Sequence, residues 1–242
     1  NLLRAGLDLR VHTRTQSRAK PVLDAGGRWF DSPRALADGV DVVITCVPNS
    51  PDVEAVYLAD DGVCAGLRSG AVAVDMSTVS PDVARKVDVA IREKGGAFLD
   101  APVSGGDVGA KEARLSIMVG GEASDLDRIR PVLEAMGKTI VHCGPCGAGQ
   151  LTKLCNQIVC GLNLLAVSEA MVFAGQVGLD PKTMLKVISS GAAGSWAVDN
   201  LGTRMERRDF DPMFMIDLQQ KDLRIALDSA YGEKVPLPGT SL

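Results

Sequence analysis

Three residues in "GAGQLTKLCNQ" have the types and spacing for proton chemistry. Lys153, Asn156 and Gln157 stand at i, i+3 and i+4, so a helix presents all three on one face. Their neighbours Leu151, Leu154 and Ile158 are apolar. A lysine in the opening turns of an apolar helix is partly desolvated. Desolvation disfavours the ammonium and lets the amine work as a general acid or base. Asn156 can orient that amine or hold a substrate hydroxyl. Upstream, "FLDAPVSGGDVGAKEARLSIMVGG" carries Ser104, Gly105 and Gly106 just after a strand pattern. One hydroxyl and two glycine amides in such a turn can wrap a small anion such as a carboxylate. His12 and His142 fall within or at the end of strand patterns and read as structural.

The elements that must position these residues alternate over the first 145 or so positions. Strand patterns occupy residues 7–12, 28–30, 41–47, 71–76 and 97–103, with helical patterns at 17–25, 33–38, 51–58 and 81–94 between them. "RLSIMVGG" and "KTIVHCG" add two strands around a helix at about 123–136. "DVVITCV" and "AVAVDM" are nearly continuous apolar runs, the pattern of strands buried on both faces. The alternation predicts an α/β domain, a Rossmann-like doubly wound sheet, over residues 1–147. From Gly149 to Val177 there is no Pro, and apolar residues recur at helical spacing. "GLDPKTM" is a stop and restart, with Gly178 ending one helix, Asp180 capping the next and Pro181 at its first position. Residues 148–242 therefore read as a second, all-helical domain, and the junction near 148 is where a cleft would form.

The chain opens as though inside a helix, with Leu2, Leu3 and Ala5 before a Gly6 stop and a strand after it. A doubly wound sheet normally begins with a strand and a Gly-rich turn that lets the backbone approach a pyrophosphate. Neither is present, so both are expected to lie upstream of Asn1. The strand that does open the sheet ends in Thr13, Arg14 and Thr15 with no Asp or Glu. An Arg there suits the 2′-phosphate of NADP better than the bare ribose of NAD, so NADP is expected, with NAD possible.

Net charge is −4, charged residues are 23% and aromatic residues 4%. That balance, without a Lys/Arg block, argues against a nucleic-acid binder. No stretch reads as long and apolar enough to cross a bilayer, so no membrane partner is expected. Six cysteines lie in apolar or helical contexts, as ordinary buried thiols of a reduced cytoplasmic protein. Cys143 and Cys146 form the one CxxC, and the spacing to Cys155 and Cys160 fits no standard zinc module, so no metal is expected. Trp196 either faces a pocket or belongs to the core.

"DAPVSGGDVGAKEARLSIMVGG" and "GAGQLTKLCNQ" together resemble the β-hydroxyacid dehydrogenase family, as do "HTRTQSRAK", "VITCVPNSPDVEAV", "VDMSTVSP" and "FDPMFMIDLQQKDLRIAL". The resemblance covers essentially the whole chain. It implies hydride transfer between a nicotinamide and a carbon β to a carboxylate, and a helical domain that builds homodimers or homotetramers. Lys153 matches the catalytic Lys, and Ser104, Gly105 and Gly106 the substrate-carboxylate loop. Asn156 matches the first Asn of a K-x-x-N-N pattern. Gln157 replaces the second, a departure associated with the tartronate semialdehyde (2-hydroxy-3-oxopropionate) reductase branch, and with Asn156 it is expected to bind substrate. Val47, Pro48, Asn49 and Thr78 match positions lining the cofactor, with Arg14 and Thr15, and Lys221 matches a Lys that reaches it from the helical domain. The family normally begins with the missing strand and Gly-rich turn and continues past "PLPGTSL", which implies a chain cut at both ends. The activity implied is NADP-dependent reduction of a small β-semialdehyde acid. The alternatives are 3-hydroxyisobutyrate dehydrogenase, glyoxylate/succinic semialdehyde reductase and a non-catalytic relative, the last disfavoured by the presence of Lys153.

Overall fold

The computed structural model describes all 242 residues. They fall into two compact units, Asn1–Lys153 and Leu154–Leu242.

The first unit is built on strands β1 (Arg10–Val11), β2 (Arg28–Trp29), β3 (Val42–Thr45), β4 (Val72–Asp75), β5 (Ala97–Asp100), β6 (Val103–Ser104), β7 (Leu115–Gly120) and β8 (Gly137–Gly144). β1 and β2 pair in parallel as a small separate sheet; the other six form one sheet in the order β3-β4-β5-β7-β6, with β8 on β7. β3, β4 and β5 are parallel neighbours, as are β7 and β8. β7 runs antiparallel to both β5 and β6. The expected α/β sheet is therefore mixed rather than purely parallel.

The helices α1 (Lys20–Asp24), α2 (Pro33–Ala37), α3 (Ser50–Leu58), α4 (Val63–Gly66), α5 (Pro81–Glu93), α6 (Gly106–Lys111) and α7 (Ala123–Glu134) connect these strands. The strand pattern at 97–103 breaks into β5 and β6 around Pro102, which has no N–H for a ladder. The pattern at 17–25 divides into a 3₁₀ turn, Gln16–Ala19, and α1. α4 and α6 open after Gly62 and Gly105 with no side-chain cap and no Pro, so nothing in the sequence announces them.

The Val-rich strands are continuous because both faces are covered. On β4, Val72 and Val74 enter one apolar layer with Leu99, Ile117 and Leu133, while Ala73 enters the other with Val43, Phe98 and Ile91. α5 shows how local chemistry serves this packing. The Ser80 hydroxyl accepts from the Asp82 N–H, Pro81 opens the helix, and Ala84, Val87 and Ile91 line its buried face.

The second unit continues α8 (Ala148–Gln176), which begins in the first, and adds α9 (Pro181–Ser189), α10 (Thr203–Glu206), α11 (Ile216–Gly232) and α12 (Pro238–Ser241). The restart at "GLDPKTM" is as read: Gly178 has φ +77°, and the Asp180 carboxylate accepts from the Thr183 N–H at 3.0 Å. Its fully buried apolar cluster is small, namely Val167, Leu185, Ala197 and Val198.

Two expectations are corrected here, and one open alternative is narrowed. α8 has 29 residues and is long and apolar enough, by length and composition, to cross a membrane, although the sequence reading finds no such stretch. Its apolar residues are distributed around the helix and interrupted by polar ones, which hides the run, and only 11% of its most apolar window is buried. None of the six free cysteines is buried: Cys46, Cys155 and Cys160 are exposed and the others half-buried. Cys155 and Cys160 lie on α8, Cys64 on α4, Cys143 in β8, and Cys46 and Cys146 in loops, so an apolar neighbour in sequence does not bury them. Trp196 is not core either, being 62% exposed just before the π-helical turn Ala197–Gly202. Ala197 and Val198 supply the burial there instead.

Candidate active site

Three adjacent parallel strands end in a row of polar residues. Thr45, Asp75 and Asp100 are the last residues of β3, β4 and β5, in register across the sheet, and all three are buried. The row organises the loops where open α/β sheets bind ligands. The Thr45 hydroxyl donates to Asp75 Oδ1 at 2.8 Å and lies 2.9 Å from the Tyr57 hydroxyl. Ser77 Oγ donates to the same carboxylate oxygen at 2.6 Å and accepts from the Val47 N–H at 2.8 Å. Burial, and next the Asp75 charge, push the Tyr57 phenol well above its usual range, so it stays a neutral hydrogen-bonding group.

This network places several of the residues expected from sequence. Val47, Pro48 and Asn49 form the loop from β3 into α3, where the Asn49 side chain caps Ser50 at 2.8 Å. Thr78 lies between Ser77 and Val79, both gripped by Gln150: its side-chain oxygen accepts from the Val79 N–H at 3.0 Å, and its side-chain nitrogen donates to the Ser77 carbonyl at 2.9 Å. Gln150 belongs to the first turn of α8, three residues before Lys153, so the loop that carries Thr78 and the helix that carries Lys153 are tied directly. Lys153 is buried, with 7% of its surface exposed.

Ser104 closes β6, and Gly105 and Gly106 turn the chain into α6 with φ of +131° and +62°. A side chain at either position would be strained, which accounts for the Gly pair. Arg14 and Thr15 follow β1, and the Arg14 side chain is largely in solvent, 4.0 Å from Asp52 near the start of α3. Exposed guanidinium chemistry at a β1 end that lacks a carboxylate, together with the loops after β3 and β4, fits a phosphorylated nicotinamide dinucleotide. No cluster of three or more His, Cys, Asp or Glu side chains is arranged to hold a metal ion.

In the helical unit, Asn156 Nδ2 donates to Gln157 Oε1 at 2.8 Å. Gln157 Nε2 donates to Asp222 Oδ2 at 2.6 Å and to Gln219 Oε1 at 3.1 Å. Lys221 Nζ lies 3.0 Å from Asp222 Oδ1. Gln157 and Asp222 are buried. The expectation that Gln157 binds substrate therefore meets a side chain whose amide is already engaged at both ends.

Asp100 and Gln150 were not singled out from sequence. The available signal was a polar residue closing an otherwise apolar strand, in "DVVIT", "AVAVD" and "AFLD" alike. Burial is the main reason that the Asp100 carboxyl is pushed up to about 6, against the N–H groups of Gly147 and Gln150 that stabilise its anion. It faces the Cys146 thiol, which burial and the Asp100 charge push up in turn. A carboxyl whose folded pKa lies above its ordinary 3.8 contributes most to stability below that value and loses the contribution as pH rises through about 6. The stability of the unaltered protein relative to Asp100→Asn should thus fall by on the order of 3 kcal/mol between pH 4 and pH 7. Denaturant unfolding of both proteins at the two pH values measures this, and a pH-independent difference would contradict it.

Parallel strand ends with a buried polar row and a buried lysine on the helix tied to them suit a nicotinamide-dependent dehydrogenase, the class that the comparisons show. Residues 1–144 match the profile described as the NAD-binding domain of 6-phosphogluconate dehydrogenase. Residues 147–242 match the profile described as NAD-binding of NADP-dependent 3-hydroxyisobutyrate dehydrogenase. The chain is similar to 2-hydroxy-3-oxopropionate reductase of Escherichia coli (40% identical, covering 100% of this chain and 82% of the relative). It is also similar to the NAD-dependent L-serine dehydrogenase of Pseudomonas aeruginosa (39% identical, 100% and 84%). The structure of Mycobacterium tuberculosis 3-hydroxyisobutyrate dehydrogenase with L-serine superimposes with a TM-score of 0.92 at 36% identity, covering 99% of this chain and 84% of that one. The chain belongs to the β-hydroxyacid dehydrogenase family of 3-hydroxyisobutyrate dehydrogenase-like enzymes, and its cofactor is NADP or NAD.

Proposed function

We propose that the chain reduces a small β-semialdehyde acid, tartronate semialdehyde before others, with Lys153 as the general acid. The observation that carries this reading is the placement of Lys153. It is a buried lysine one turn beyond a residue hydrogen-bonded to the loop that carries Thr78. When bound, the reduced nicotinamide supplies the hydride that the carbonyl carbon takes up. The Lys153 ammonium donates its proton to the carbonyl oxygen as negative charge builds there, and in oxidation the amine takes the hydroxyl proton back. Ser104 and the amides of Gly105 and Gly106 hold the substrate carboxylate, and Asn156 fixes the substrate hydroxyl. Gln157 supports Asn156 rather than reaching substrate, because its own amide is held by Asn156, Asp222 and Gln219. Val47, Pro48, Asn49, Thr78 and Lys221 contact the cofactor, and Arg14 with Thr15 selects the 2′-phosphate, which favours NADP.

The structural likeness to a 3-hydroxyisobutyrate dehydrogenase favours a second reading, with a substrate that bears a methyl group at C2 in place of the hydroxyl. Steady-state oxidation of NADPH and NADH with tartronate semialdehyde and with methylmalonate semialdehyde separates the two. We expect the highest kcat/KM for tartronate semialdehyde with NADPH. A higher value for the methyl substrate would replace the first reading with the second.

The helical unit is proposed to form a homodimer or homotetramer. It exposes Val159, Leu162, Leu165, Val172 and Phe173 on α8 around a small core, and exposed apolar surface of this extent suits a partner chain. Light scattering should give a mass at least twice 25.4 kDa; a monomer at micromolar concentration would count against it. A cytoplasmic location completes this reading.

A further inference from the structure

Asp100 is a fully buried carboxylate that the chemistry above does not use. Both of its oxygens point at the start of α8. Oδ1 accepts from the Gly147 N–H at 2.7 Å, and Oδ2 accepts from the Gln150 N–H at 2.8 Å. The approach is close enough to require glycine. A methyl group on Gly149 would lie 2.5 Å from the Asp100 carbonyl oxygen and 2.8 Å from Oδ2, and would also strike the Met118 carbonyl. One on Gly120 would strike Asp100 Oδ1 and the Gly149 nitrogen.

A buried anion is an expensive way to cap a helix, since Ser or Asn would serve. What a carboxylate adds is two acceptors on one rigid fork, together with a charge opposite to the partial positive end of the helix. The other end of the fork is fixed as well. Asp100 closes β5, which is held by β4 on one side and by β7 on the other. Lys153 stands three residues beyond Gln150, and a side chain there leans back over residue 149, toward the helix start.

We propose that Asp100 is a positioning residue for the reaction: its carboxylate locks the first turn of α8 to the end of β5 and so sets where Lys153 presents its proton. This rests on the reading of Lys153 as the general acid. The side chain of Gln150 makes the separate tie to Ser77 and Val79, so the Asp100 tie can be removed while that one stays.

The test uses the full chain, tartronate semialdehyde and NADPH, with Asp100→Asn, Gly149→Ala and Lys153→Ala beside the unaltered protein. Asp100→Asn keeps the shape and loses one acceptor; Gly149→Ala keeps the carboxylate and displaces the helix start. Both should lower kcat on the order of 100-fold, the effect of misplacing a reacting group by about 1 Å. KM for the semialdehyde and the Kd for NADPH should be unchanged. Hydrogen exchange at the amides of residues 147 and 150 should speed up, and the rate of Lys153 modification by trinitrobenzenesulfonate should change. Unaltered kcat in Asp100→Asn overturns the proposal, as does a loss in which kcat, KM and Kd all worsen with the melting temperature. If neither variant folds, exchange in the unaltered protein still decides. Amides 147 and 150 exchanging as fast as an exposed loop would overturn the tie. An active Lys153→Ala defeats the acid reading and this proposal with it; an inactive one beside fully active Asp100→Asn defeats this proposal alone.

Discussion

Replacing Lys153 with Ala should remove turnover while NADPH still binds. Reduction of a carbonyl leaves an alkoxide-like oxygen unless a proton arrives with the hydride, and a positioned acid contributes on the order of 10²–10⁴ in rate. Lys153 is the one side chain on its helix face that can supply that proton, since Asn156 and Gln157 carry amides. The loops after β3 and β4 are organised by Thr45, Asp75 and Ser77 rather than by Lys153, so the dinucleotide site should survive the substitution. Steady-state kinetics and a fluorescence titration with NADPH measure the two halves of this expectation. A small primary amine added to the variant should restore part of the rate. Undiminished turnover would take Lys153 out of the mechanism.

The second large effect concerns stability. Gln150 is wholly buried, and its amide satisfies the Val79 N–H and the Ser77 carbonyl, which are themselves in buried residues. Gln150→Leu keeps most of the volume and strips both partners. Each abandoned group costs about 1–3 kcal/mol, so the pair should cost roughly 2–6 kcal/mol and lower the melting temperature by roughly 10 °C for a chain of this size. The same change should weaken NADPH binding, because the loop it releases carries Thr78. Calorimetry and titration on one preparation would show both effects. A variant that melts with the unaltered protein would mean that the loop finds other partners.

The legibility of this molecule follows the range of the forces involved. The buried strands were readable because "DVVITCV" and "AVAVDM" encode two covered faces in composition alone. The α8–α9 junction was readable because Gly178, Asp180 and Pro181 act on their own backbone. The glycines at 105 and 106 announced a turn, though not α6 behind it. What escaped the sequence is the pairing of residues far apart in the chain. Nothing local links Asp100 to Gly147, or Gln150 to Ser77; those partners are chosen by sheet register and by the direction in which α8 leaves the sheet. Gln157 stands at a spacing from Lys153 that fits one helix face. Its engagement by Asp222, 65 positions away, is tertiary and invisible to spacing.

Cys155 and Cys160 stand exposed on α8 beside Asn156, whose amide lies 3.5 Å from the Cys160 sulfur. Any preparation of this enzyme therefore carries its own chemical footprint. Iodoacetamide counts the thiols that solvent can reach; if the chains associate as proposed, a lowered count at Cys155 or Cys160 would locate the covered stretch of α8 without a crystal. The same exposure sets a handling rule. In an oxidising buffer, disulfides between chains would form on this helix and imitate the association being measured, so masses taken without a reductant would confuse covalent dimers with native ones.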